Sequence, residues 1–140
     1  MPPDLAMNTL WEQLGGTSNM ERIINDFVDR AISDPEVNYT RNGRFVFEEA
    51  AIQFTKKSAL EFFSTAAGGP FHYSGRSLVA IHQGMHISDR EFDAICKDLR
   101  LALESHGIGA PLQDIVMAKV EETRPLIVST EAEQKSKVLI

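Results

Sequence analysis

Four histidines, one cysteine and two glycine pairs are the residues whose types and spacing could carry chemistry in this chain. Cys96 is alone, so neither an intramolecular disulfide framework nor a multi-thiolate zinc site is available. It falls on an apolar helical stripe, where a thiol acts as a small hydrophobe. There is no Gly-x-Ser-x-Gly nucleophile elbow. Gly15-Gly16 and Gly68-Gly69 lack the spacing of phosphate-binding or dinucleotide-binding loops and read as turns. The acidic residues form no calcium-loop pattern. His106 precedes Gly107 at a predicted helix C-terminus, where an imidazolium favours the dipole, which is a structural role. His82 and His86 are spaced i, i+4, as a zinc pair on a helix would be, and His72 stands apart. However, Gly84 interrupts them, no His-Glu-x-x-His pattern is present, and Ile87-Ser88 opens a new element. His82 ends the short segment from Gly75, with Leu78 and Ile81 on its apolar side. Two readings of it stand. One is a satisfied core histidine; the other is a neutral imidazole facing an apolar cavity, as the axial position of an iron porphyrin requires.

The elements that must position these residues are helical. Thr9-x-x-Glu12, Ser18-x-x-Glu21 and Ser88-x-x-Glu91 have the form of capping boxes, each before an apolar-periodic run. One stripe runs Met20, Ile23, Ile24, Phe27, Ala31, Ile32 and stops at Asp34-Pro35, because the residue before proline leaves the helical region. A second runs Ala59, Phe62, Phe63, Ala66 to Gly68-Gly69-Pro70. A third is Phe92, Ile95, Cys96, Leu99, Ala102, Leu103, closed by Gly107. A fourth is Leu112, Ile115, Val116, Lys119, Val120, opened by Pro111. Phe45-Val46-Phe47 is too short to build a sheet, and no internal repeat is visible. The expectation is an all-α fold of four main helices with short pieces, ending in a frayed tail over 129–140.

The chain has 140 residues, 43% apolar and 24% charged, enough for one self-sufficient core. A net charge of −6 argues against nonspecific nucleic-acid binding. No apolar run nears the roughly 20 residues that cross a bilayer. Met1-Pro2-Pro3-Asp4 lacks the basic and apolar regions of a signal peptide, so a soluble cytoplasmic protein is expected.

A set of short motifs then recurs in a telling order. Leu14-Gly15-Gly16, Asp26-Phe27, Asp34-Pro35-Glu36-Val37, Glu61-Phe62-Phe63 and Gly68-Gly69-Pro70 come first. Tyr73-Ser74-Gly75-Arg76-Ser77-Leu78, Ala80-Ile81-His82-Gln83-Gly84-Met85 and Ile87-Ser88-Asp89-Arg90-Glu91-Phe92-Asp93 follow. Each alone is weak, but their order and spacing are specific. Over about residues 9 to 128 the chain resembles the truncated haemoglobins of group I. The resemblance implies a truncated globin fold, a two-over-two helical sandwich enclosing haem. It makes 1–8 an N-terminal extension, 9–128 the globin domain and 129–140 a tail. It places the proximal iron ligand on His82, with His86 next in line. It puts the aromatic pair of the distal helix on Phe62 and Phe63, and apolar haem neighbours on Leu78, Ile81, Ile87, Phe92 and Ile95. Tyr73 joins the cofactor set, and Lys56 or Lys57 with Arg76 would meet the propionates.

The distal side departs from the group I pattern. Where relatives often carry tyrosine after the second-helix phenylalanine, this chain has Val28, and the usual distal polar positions fall on Thr55 and Ala59. The segment from Asn38 to Phe54 is about six residues longer than usual, which leaves open whether Phe45 or Phe47 wedges the haem. From that segment Tyr39 or Gln53 could fold back over the iron. The resemblance implies a haem protein that reversibly binds oxygen, nitric oxide or another diatomic gas, as a monomer or weak homodimer. Oxidation of nitric oxide with an external reductase is a second reading, and a haem-free globin-like interaction or sensor module a third. His82 separates the last from the others, since such a module needs no proximal imidazole.

Overall fold

Thr9 opens the first helix by accepting the Glu12 amide on its hydroxyl at 3.1 Å. Helix α1 (Leu10–Gln13) buries Trp11 and hands the chain within two residues to α2 (Gly16–Ser33). That reversal needs Gly15, whose φ of 105° is left-handed and whose missing Cβ would press into the Asn19 side chain. Asn19 uses this closeness: its amide donates to Leu14 O at 2.8 Å and to His106 O at 3.3 Å. Ser18 therefore does not cap α2 as expected. The helix has already begun at Gly16, and Ser18 is exposed inside its first turn.

The computed structural model describes residues 8–129. The expected terminal extension and tail fall mainly on 1–7 and 130–140, which lie outside the described residues. Beyond α2 come α3 (Glu49–Ala67), α4 (Leu78–His82), α5 (Asp89–Ser105), α6 (Ala110–Glu121) and α7 (Arg124–Ile127). No strand occurs among the described residues, and Phe45-Val46-Phe47 is irregular. Helix α2 packs on α3, α5 packs on α6, and α2 lies across α5. Two helices thus cover two. Met20, Ile23, Ile24 and Val28 from α2 meet Leu99, Ala102 and Leu103 from α5 and Val116 and Met117 from α6 in one core.

Helix ends follow local chemistry. Ser88 and Glu91 form a complete capping box at α5, with Oγ accepting from Glu91 N at 3.1 Å and Oε1 from Ser88 N at 3.0 Å. Gly68 closes α3 in the left-handed conformation. Two stripes are rotated from expectation. At the end of α3, Ser64 and Ala67 are buried and Ala66 is exposed. Here Ser64 Oγ accepts the Phe71 amide at 2.8 Å. On α6, Gln113 and Met117 turn inward with Val116, leaving Ile115 48% exposed. Gln113 holds that rotation by donating to Ile108 O at 2.8 Å and accepting from Arg100 at 3.1 Å.

Candidate functional site

Helix α4 is five residues long and exists because its ends are held. Ser77 Oγ accepts the Ala80 amide at 3.1 Å, Arg76 donates to Ala80 O at 3.0 Å, and Tyr73 Oη donates to Arg76 O at 2.6 Å. His82 sits in its last turn. Its Nδ1 lies 2.8 Å from Leu78 O, and a carbonyl can only accept, so Nδ1 carries the proton and Nε2 keeps its lone pair. Burial holds the imidazole below its ordinary pKa, outweighing the opposing effect of the Leu78 bond, so the ring is neutral at pH 7. The helix ends here: Gln83 leaves it and Gly84 and His86 both take positive φ. His82 and His86 therefore do not share a helical face. Among the described residues, no group of three or more His, Cys, Asp or Glu could hold a bare metal ion.

Aromatic rings link this segment to α3. Tyr73 packs edge-on against Phe62 at 5.7 Å, Phe62 against Phe63 at 6.4 Å, and Phe63 against Phe27 of α2 at 6.4 Å. Phe63 thus joins the main core, while Phe62 turns toward Tyr73. Leu78, Ile87 and Ile95 are half-buried, Phe92 is buried, and Ile81 is 39% exposed. Arg124 covers Phe92 from outside at 4.4 Å, held by Asp89, Asp93 and Glu121.

On α3, Thr55 and Ala59 are half-buried one turn apart. Phe47 packs its ring 4.5 Å from that of Tyr39, while Phe45 faces outward under Arg44. The basic residues point elsewhere. Lys56 reaches Asp29 and Asn25 of α2 at 2.8 and 2.7 Å, and Lys57 pairs with Glu61 at 2.9 Å. Gln53 bonds Glu49 along its own helix. Val28 is buried in the main core. The residue that the sequence motifs did not expose is Arg41. Its guanidinium bonds Asn38 O, Met85 O, His86 O and Glu91, clasping the α4–α5 loop to the segment after α2. Positive φ at Asn38, Arg41 and Asn42 makes that reach, and no periodic signal announces it. Cys96 is half-buried, with its thiol pushed up to about 11 mainly by burial and also by Glu121, so it stays protonated and inert.

The arrangement presents one neutral, directionally fixed imidazole nitrogen at the end of α4, in a segment that carries half-buried Leu78 and Ile87 and is tied to Phe62 through Tyr73. Comparison with known proteins identifies the family of the whole chain. The bacterial-like globin family model matches residues 9–129. A group 1 truncated hemoglobin of Tetrahymena pyriformis is 27% identical over 116 residues, covering 83% of this chain and 91% of the relative. The crystal structure of the Fe(III) form of truncated hemoglobin from Tetrahymena pyriformis superposes with a TM-score of 0.76 at 27% identity, covering 88% of this chain and all of that one. The 2/2 hemoglobin from Synechococcus, in the cyanomet state with covalently attached heme, gives 0.70 at 28% identity over 81% of this chain and 91% of its own. With four stacked helices in the two-over-two order and a match running nearly end to end, the chain belongs to the bacterial-like globin family and is similar to its group 1 truncated hemoglobins.

Proposed function

We propose that this chain binds haem through Nε2 of His82 and reversibly takes a diatomic gas such as oxygen or nitric oxide. The observation that carries the reading is the Nδ1 bond of His82 to Leu78 O. A metal-bound histidine has its orientation and tautomer fixed by such a bond at the other ring nitrogen. The donor chemistry fits: a neutral imidazole is a good iron ligand, and half-buried Leu78, Ile87, Ile95 and Phe62 offer the apolar contact a porphyrin needs. Haem would supply the iron that holds the gas; Nε2 of His82 would hold the haem, and Leu78, Ile87, Ile95 and Phe62 would cover it. Phe92 and its Arg124 cover support the α5 side of that surface, and Arg76 with Tyr73 brace α4.

The absorbance spectrum of the purified protein with added haem tests this. Wild type should show a Soret band and a five-coordinate ferrous form, and His82→Ala should lose that form until free imidazole restores it. A mutant with the wild-type ferrous spectrum would move the ligand elsewhere, with His86 the next residue to change. Wild type without a Soret band would favour a haem-free interaction module.

A further inference from the structure

The second helix offers no polar hydrogen at Val28, and the segment that follows it brings a tyrosine hydroxyl to α3. Resting on the haem reading above, we infer that Tyr39 donates the hydrogen bond that holds a gas ligand on the distal side, leaving Thr55 Oγ1, its acceptor in the ligand-free chain. Tyr39 Oη lies 3.4 Å from Thr55 Oγ1. Thr55 already donates its own proton to Ala51 O at 3.1 Å, so in this pair Tyr39 is the donor and Thr55 the acceptor. The contact is long, and a phenol proton re-aims by rotation about one C–O bond. A better acceptor nearby can therefore take it.

Placement supports the same conclusion. Thr55, Ala59 and Phe62 follow at i, i+4 and i+7 and share one face of α3. The Tyr39 hydroxyl thus meets α3 on the face that carries Ala59 and Phe62. Tyr39 packs against the cluster of Ala31, Val37 and Ala94, on which Ile95 also packs, and the Phe47 ring centroid lies 4.5 Å away. It therefore links α3, through Thr55, to the cluster that joins Ala31 of α2 and Ala94 of α5. Other donors are excluded by position or chemistry. Val28 and Ala59 have no polar hydrogen, Gln53 is bonded to Glu49 on an exposed face, and Lys56 is turned to α2.

The test uses the haem-loaded full chain and two variants, read by the infrared C–O stretch of the ferrous carbon monoxide complex and by stopped-flow oxygen release. A donor beside the ligand lowers that stretch. Tyr39→Phe keeps the ring and removes one oxygen; it should raise the stretch and speed oxygen release about tenfold to a hundredfold. Thr55→Val removes the competing acceptor and should lower the stretch further, because Tyr39 then donates to the ligand alone. If Thr55 were itself the donor, its variant would shift the band upward, which overturns the proposal even where Tyr39→Phe fails to fold. An unchanged band and rate in a folded, haem-loaded Tyr39→Phe overturn it equally. Absence of a Soret band in wild type overturns the haem reading and this one together, so the two failures are distinguishable.

Discussion

Asp34, at the C-terminal cap of α2, and Asp98, in the middle of α5, bring their carboxyls close enough for each to shift the other's titration through a shared proton. Asp98 is buried, and Oδ2 of each carboxyl lacks a donor from elsewhere, Lys97 Nζ standing 3.7 Å from that of Asp34, so a single shared proton is what makes the pair compatible with the interior. Burial, then the bond to Asp34 and its charge, push Asp98 up to about 7, while the bond to Asp98 is the main cause holding Asp34 below the ordinary aspartate value.

The pair makes stability depend on pH in a defined direction. Between about pH 4 and pH 7 the folded protein keeps a proton on Asp98 that the unfolded chain releases, so stability falls as pH rises through that window. Asp34 acts oppositely: its contribution is present above about pH 4 and is lost as pH falls further. Asp98→Asn keeps a donor at every pH. It should flatten the pH 4–7 slope and raise stability at pH 8 by about 1–2 kcal/mol, since a buried unmatched polar group costs about that much. Urea midpoints at pH 4.5, 6 and 8 check this, and an unchanged slope would refute the shared proton.

The two aromatic neighbours on α3 should separate by function. Phe63 packs in the main core against Phe27, so Phe63→Ala should lower apoprotein stability by about 3 kcal/mol. Phe62 lies outside that core against Tyr73, so Phe62→Ala should cost less stability and change gas association more. Urea denaturation and flash photolysis on both variants read the two effects. Equal stability losses would contradict the division.

Arg41 holds two loop carbonyls and Glu91 at once. Arg41→Ala should cost about 2 kcal/mol, on the scale of a hydrogen bond to a charged group. The loss should concentrate in the loop after His82. Hydrogen exchange of the amides from Met85 to Glu91 should quicken while those of α2 stay protected; uniform acceleration would show a global effect instead.

Two serines offer a direct contrast. Ser88→Ala removes a working cap and should cost about 1 kcal/mol, whereas Ser18→Ala should change stability by a few tenths at most. Thermal melts of the two variants suffice, and a larger loss at Ser18 would restore it as the cap.

What the sequence by itself determined about this protein lies within a few residues of each feature. The Ser88–Glu91 box, the left-handed stop at Gly68, the halt at Asp34-Pro35 and the apolar stripes of α2 and α5 depend on spacings of three or four, and all stand in the structure. The His82–Leu78 bond is of the same kind, since residues i and i−4 meet on any helix. Other features belong to the tertiary structure alone. Ser18 lost its role to Gly15 because the α1–α2 reversal packs Asn19 against His106, 87 positions away. Gln113 displaced Ile115 because Arg100 and Ile108 hold it from outside its helix. Lys56 turned to Asp29, Tyr39 met Thr55, and Asp34 found Asp98 only once the helices were stacked. A long polar side chain has many partners within reach, and the choice among them is made by packing that brings distant residues within about 3 Å.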